Sequence, residues 1–168
     1  MAQFTMIIGF QTFSVDTLKL SNTNIGLLYT GFAATGIVMQ LCVPFFTRVI
    51  SSKAMILLLS TLACFGAMFY AGFTAAIFTF SIGLVIYGLF NGLRNPMLNA
   101  IIADNNKSNK QGEVMGVNQS YASIGQTLGP ITAGLVTIFS IHCVFFLSAF
   151  YILIAFLLTF RLTAKSKS

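Results

Sequence analysis

Apolar residues in this chain run in long blocks rather than alternating with polar ones, and the blocks are bounded by charge. No residue from Leu20 to Thr47 is charged, 40 uncharged residues separate Lys53 from Arg94, and 47 separate Glu113 from Arg161. A charge at bilayer depth costs on the order of 3 kcal/mol, so charged positions mark where helices surface. A single helix of 40 residues would be about 60 Å long, roughly twice a hydrocarbon core, so that run must turn back. Its weak point is Tyr70-Ala71-Gly72-Phe73-Thr74, and the run after Glu113 breaks near Ser140-Ile141-His142. Six helices follow: Met1 to Val15, Ile25 to Phe46, Ala54 to Phe73, Ala76 to Ile102, Val114 to Phe139 and Cys143 to Phe160. Transmembrane strands would alternate in polarity, whereas Ile82 to Leu89 and Val144 to Leu158 are apolar almost all round. The expectation is an all-α membrane protein with the lipid bilayer as its solvent. Residues 1–163 form the six-helix bundle and residues 164–168 a short basic cytoplasmic tail.

Only 7% of the residues are charged, and the net charge is +6. Arg48, Lys53, Lys107, Lys110, Arg161, Lys165 and Lys167 share one face with both termini, while Lys19 stands alone on the other. Because cytoplasmic loops retain Lys and Arg, both termini are expected in the cytoplasm of a multi-pass protein of the cell (inner) membrane. The positive charge then reports topology and not nucleic-acid binding, since no basic cluster is longer than the tail. No basic region precedes the first apolar segment, so it does not read as a cleaved signal peptide. Cys42, Cys64 and Cys143 each sit alone in a helix, without zinc or redox spacing. His142 has no partner at ligand spacing, so no metal or cofactor is expected. An enzyme would need a nucleophile with a base, a carboxylate pair or a metal cluster, and none of these patterns is present.

Carboxamides show which helices line a cavity, because polar groups at bilayer depth face protein or water. Gln3 and Gln11 lie in the first helix, Gln40 in the second, Asn91, Asn95 and Asn99 in the fourth, and Asn118, Gln119 and Gln126 in the fifth. The third and sixth helices have none and read as the lipid-facing pair. Tyr87, Asn91, Asn95 and Asn99 recur every four residues on a slowly drifting stripe beside Gly88 and Gly92. Gln3, Gln11 and Ser14 share a face of the first helix. Gln3, Gln11, Tyr87, Asn91 and Asn95 are the candidate cavity-lining residues, with interhelical hydrogen bonding the alternative role and the preferred one for Gln40. Arg94 reads as an interfacial side chain that snorkels. Asp16 and Lys19, three apart, are expected to pair locally. No carboxylate lies at mid-membrane depth, so Asp16 is the one candidate for proton coupling.

The fifth helix has the most specific pattern: Gly116, eight residues, Gly125, three residues, Gly129-Pro130, two residues, then Ala133-Gly134. This resembles the Gly- and Pro-rich antiporter motif of the major facilitator superfamily, with Ala133 in place of one Gly. The loop Val43 to Lys53 keeps Arg48 and Lys53 of that family's loop after its second helix but lacks the Gly and Asp. Gly88 stands where the first half's fourth helix has Arg. Both departures imply the C-terminal half, helices seven to twelve, and thus one half-bundle of the major facilitator fold, most like the drug-efflux branch. The lipid-facing pair then matches peripheral helices nine and twelve, and the first and fourth helices match cavity-lining seven and ten.

The resemblance implies half of a secondary active transporter that exports drugs or small amphipathic metabolites by alternating access, with a small-molecule substrate. A missing N-terminal transporter half or a homodimer partner would complete it. Alternatives are a carrier for a sugar, organic acid or other nutrient, and a non-transporting truncated or regulatory fragment. Met1 to Val15 spans about 22 Å against a core near 30 Å, which fits a truncated or split gene. The topology is open to a direct test. Single cysteines at Ser52 and Lys107 should react with an impermeant maleimide only from the cytoplasmic face, and one at Asn22 only from outside; labelling of all three from one side would exclude six crossings.

Overall fold

A computed structural model describes residues 1–50, 52–74, 76–106 and 110–165. Among the described residues there are seven helices and no strand: α1 Ala2–Asp16, α2 Asn22–Leu41, α3 Val43–Val49, α4 Lys53–Ala71, α5 Ile77–Asn105, α6 Gln111–Thr137 and α7 Ile141–Lys165. Lys107 and Lys167, two of the cations assigned to the inner face, lie outside the described residues, as does the end of the tail.

Local chemistry sets the boundaries. α1 closes with Leu18 N–H donating to Phe13 O at 3.1 Å and Leu20 N–H donating to Ser14 O at 3.0 Å. Lys19 between them takes a left-handed φ of 51°, unusual for a residue with a Cβ. That turn ends the helical register, so the expected Asp16–Lys19 pair does not form among the described residues; the ion pairs are Lys53–Asp104 and Lys110–Glu113. Ser21 and Ser52 cap α2 and α4, accepting from Asn24 N–H and Met55 N–H. The helix expected over Ile25 to Phe46 is instead two, broken at Cys42. Pro44 is the cause: it has no N–H for the Gln40 carbonyl and its ring crowds that group, so the helix restarts with Pro44 in its first turn. α5 and α6 each continue through a proline, Pro96 and Pro130.

α4 packs on α5 and α7, α7 on α1, α2 on α5, and α1 on α6. The main core draws Met6, Phe10 and Phe13 from α1, Cys64 and Met68 from α4, Phe80, Leu84 and Tyr87 from α5, and Phe145, Ala149 and Ile152 from α7. Three rings close one end of it, with centroids 4.7 Å apart for Phe13–Phe80, 5.5 Å for Phe80–Phe145 and 5.7 Å for Phe13–Phe145. Phe13 also meets His142 edge-on at 5.4 Å, and Phe146 covers Gly72. The α1–α2, α4–α5 and α6–α7 links therefore gather at one end. At the other, Lys53 Nζ and Asp104 Oδ2 lie 2.6 Å apart, joining the start of α4 to the end of α5. An up-and-down bundle results.

Four helices are long and apolar enough to cross a membrane: Asn22–Leu41, Lys53–Ala71, Ile77–Asn105 and Ile141–Arg161. α1 has only 15 residues, and α6, with 27, is diluted by Gln, Ser and Thr. α4 and α7 bury one face in the bundle, and their outward faces present Met55, Leu59, Leu62 and Phe69, and Phe150, Ile154, Leu157 and Leu158. α2 buries no residue, and α6 buries only Gly125, Gly129 and Ala133.

Glycine lets α2 and α5 meet backbone to backbone. A Cβ at Gly92 would stand 2.5 Å from Gly36 O and 3.1 Å from Gly36 Cα, whereas one at Gly31 would meet nothing within 4 Å. Gly92→Ala should therefore push the two helices apart and cost about 1–3 kcal/mol, read as a lower melting temperature in detergent. Gly31→Ala should be neutral or slightly stabilising. Equal effects would contradict the close approach.

Candidate functional site

The polar residues of α5 illustrate how a four-residue spacing drifts by about 40° per step around a helix. Tyr87 is fully buried and Asn91 is 8% exposed, while Asn95 and Asn99 have turned out to the surface. Asn99 Oδ1 accepts from Asn118 Nδ2 at 3.3 Å, joining α5 to α6. Tyr87 Oη and Asn91 Oδ1 are buried without a hydrogen-bond partner. The Arg94 guanidinium lies beside the Tyr87 hydroxyl. Arg94 is the eighteenth of 29 residues in α5, so about 16 Å of helix remains beyond it.

On α1, Gln3 is half-buried, Gln11 is exposed and Ser14 is buried with its Oγ unpartnered. Gln11 lines a cleft of about 410 Å³ between α1 and α2, with Phe10, Asn22, Ile25 and Tyr29 among its walls. Of the five candidate cavity residues, Gln11 reaches this cleft, Tyr87 and Asn91 lie deeper against α2 and α4, and Gln3 and Asn95 are apart from both. Rings connect the two levels. Phe10–Tyr29, Tyr29–Phe32 and Phe32–Tyr87 have centroids 6.0, 5.9 and 6.0 Å apart. The sequence reading passed over these rings, although the i, i+3 spacing of Tyr29 and Phe32 signals an aromatic face. Gln40, expected to pack between helices, is exposed, because it lies on α2, which buries nothing. Asp16 is exposed at the outer end of α1, and among the described residues no cluster of His, Cys, Asp or Glu could hold a metal.

The Gly-rich pattern of α6 divides in two. Gly125, Gly129 and Ala133, at four-residue spacing, form its buried stripe and lie against α1: a Cβ at Gly129 would stand 2.9 Å from Met1 O, 3.0 Å from Phe4 Cβ and 3.3 Å from Thr5 N. Thr5 Oγ1 donates to Gly129 O at 3.3 Å across the same contact, beside the step where Pro130 supplies no N–H. Gly116 and Gly134 face open space. Gly72, in the turn after α4, is covered by Phe146, whose ring would lie 2.7 Å from an added Cβ.

A family model described as Major Facilitator Superfamily matches residues 1–168. The chain is 29% identical over 164 residues to the multidrug resistance protein MdtG of Salmonella arizonae, covering 95% of this chain and 40% of that protein. It is 28% identical over 169 residues to MdtG of Citrobacter koseri, covering 98% of this chain and 41% of the relative. The chain thus spans about two fifths of the length of the curated relatives it matches.

The split within the Gly-rich pattern sets up a comparison inside one helix. Gly129→Leu adds four heavy atoms against the α1 backbone and should cost about 1–3 kcal/mol or more. Gly134→Leu should leave thermal stability in detergent nearly unchanged, and a similar loss at both positions would show that the buried stripe is not what packs α6.

Proposed function

This chain belongs to the major facilitator superfamily, and on that premise we propose that it is the C-terminal half of a multi-pass transporter exporting drugs or small amphipathic metabolites by alternating access. A second six-helix half, or a second copy of this chain, completes the machine. The observation that carries this reading is the open polar surface of the half-bundle. α2 buries nothing, and α6 exposes Gln119, Ser120, Ser123, Gln126 and Thr127, while the outward faces of α4 and α7 are apolar. Lipid suits the second kind of surface. The first needs protein or water, because uncompensated polar groups are expensive in hydrocarbon. Together with the printed function of the multidrug resistance relatives, the polarity supports a half whose α1, α2, α5 and α6 surround a shared cavity.

The positive-inside pattern supports cytoplasmic termini, with the Lys53–Asp104 pair at the inner end. Asp104 and Glu113 are both ion-paired, and Asp16 is exposed at the outer end. The chain alone therefore has no carboxylate at mid-depth to carry a proton across, and coupling falls to the other half.

With both halves co-expressed, Asn91→Leu should change which compounds are exported. Loss of a buried hydrogen-bonding group weakens export of polar substrates by about fivefold or more and spares apolar ones. The isolated chain should give no proton-coupled efflux in vesicles. Coupled transport by the isolated chain, abolished by Asp16→Asn, would refute the need for a second half.

A further inference from the structure

Arg94 is a cation without a counter-charge. The chain has three carboxylate side chains, Asp16, Asp104 and Glu113. Asp104 is paired with Lys53 and Glu113 with Lys110. Arg94 acts electrostatically on the Met1 amine at the start of α1, and Asp16, at the opposite end of that helix, is about 22 Å further along it. No carboxylate side chain is therefore within reach of Arg94. Nor does the side chain escape to water at the nearer helix end. Helical side chains project toward the N-terminus, and the guanidinium lies beside Tyr87, two turns back toward Ile77 and away from Asn105. Snorkelling would direct it the other way.

Around it are two buried polar groups. Tyr87 Oη and Asn91 Oδ1 are buried and unsatisfied, and both residues are more than nine-tenths buried. Positions 87, 91 and 94 follow the i, i+4, i+7 spacing of a single helix face. Arg has a fork of N–H donors that matches a carboxylate, the Tyr hydroxyl can donate, and a carboxamide can turn its NH₂ to a ligand. An apolar path begins at this cluster. The ring of Phe32 is stacked on Tyr87 at an interplanar angle of 20°, and Tyr29 and Phe10 continue the series to the cleft between α1 and α2. A cationic, hydrogen-bonding cluster thus adjoins a run of packed rings that ends at the cleft, where Tyr29 and Phe10 are part of the wall.

We propose that Arg94, Asn91 and Tyr87 form the head-group site for the carboxylate of an amphipathic substrate, whose apolar part lies along Phe32, Tyr29 and Phe10. This rests on the transporter reading and narrows its substrate class to organic anions with an aromatic or other flat apolar tail. A carboxylate held on the second half would satisfy Arg94 equally well but would make no use of the ring track, and this difference separates the two sources.

The test is saturable binding to the 168-residue chain in zwitterionic nanodiscs, with empty nanodiscs subtracted. The probes are 1-pyrenebutyrate, its neutral analogue 1-pyrenebutanamide, and acetate. Pyrenebutyrate should bind about tenfold more tightly than the amide, as expected when a charged hydrogen-bonded pair is lost. Arg94→Gln should abolish that preference and Arg94→Lys should keep part of it. Phe32→Leu should weaken both pyrene compounds alike, and acetate should not compete at concentrations where pyrenebutyrate saturates. Equal affinity of the wild-type chain for the two pyrene compounds would overturn the proposal, as would an undiminished preference in Arg94→Gln. Acetate competing as well as pyrenebutyrate would overturn it in favour of a carboxylate on the other half. Should Arg94→Gln fail to fold, the wild-type comparison and Arg94→Lys still decide. Because binding is measured without transport, a negative result leaves the transporter reading in place.

Discussion

In lipid the helices of this protein gain nothing by hiding apolar surface from one another, because the solvent is as apolar as the side chains; what joins them is close backbone approach. Two contacts depend on it. Gly36 and Gly92 bring α2 onto α5, and Gly129 brings α6 onto the start of α1. At each, a single methyl group would collide with backbone atoms, which cannot rotate away as a side chain can. α2 buries no side chain at all, so its place in the bundle rests on this approach to α5 and on the rings of Tyr29 and Phe32. The position of both helices that border the open face is therefore set by residues with almost no side chain.

That arrangement also separates two kinds of surface. α4 and α7 have many apolar partners inside the bundle and present Leu, Phe and Ile outward, a surface complete in lipid. α2 and α6 are attached by narrow seams and leave most of their circumference open, and on α6 that circumference includes Gln119, Ser120, Ser123, Gln126 and Thr127 beside apolar side chains such as Tyr121 and Ile124. The same economy explains the unpartnered groups on α5: Tyr87, Asn91 and Arg94 sit where α2 and the start of α1 converge, with no acid side chain in reach.

The motif that identifies the family is informative in an uneven way. Its buried half, Gly125 and Gly129 continued by Ala133, is explained by contact with α1. Gly116 and Gly134 touch nothing within this chain, and nothing in the structure explains their being glycine. Ala133, the position that departs from the family pattern, falls on the same buried stripe.

The turns at Gly72 and Ser140, the all-helical class and the family were legible in the sequence, because each follows from one-dimensional quantities: the length of an uncharged run, the incompatibility of charge with lipid, and the spacing of Gly and Pro; the break at Cys42, which makes seven helices of the expected six, was not. Local pairing was not legible. Asp16 and Lys19 are three apart, as a helical pair would be, but the chain turns left-handed at Lys19 and the two form no ion pair. Which polar residues meet one another was decided by tertiary structure alone. A four-residue spacing places Tyr87, Asn91, Asn95 and Asn99 on one stripe, but only the approach of α2 determines that the first two are buried and the last two exposed. The sequence by itself determined that the chain is a bundle of helices in lipid with polar residues on particular helices, since those facts depend on each residue's own solvation. Where those residues lie relative to one another depends on how close two backbones come, and that is a property of pairs of helices that no single stretch of sequence contains.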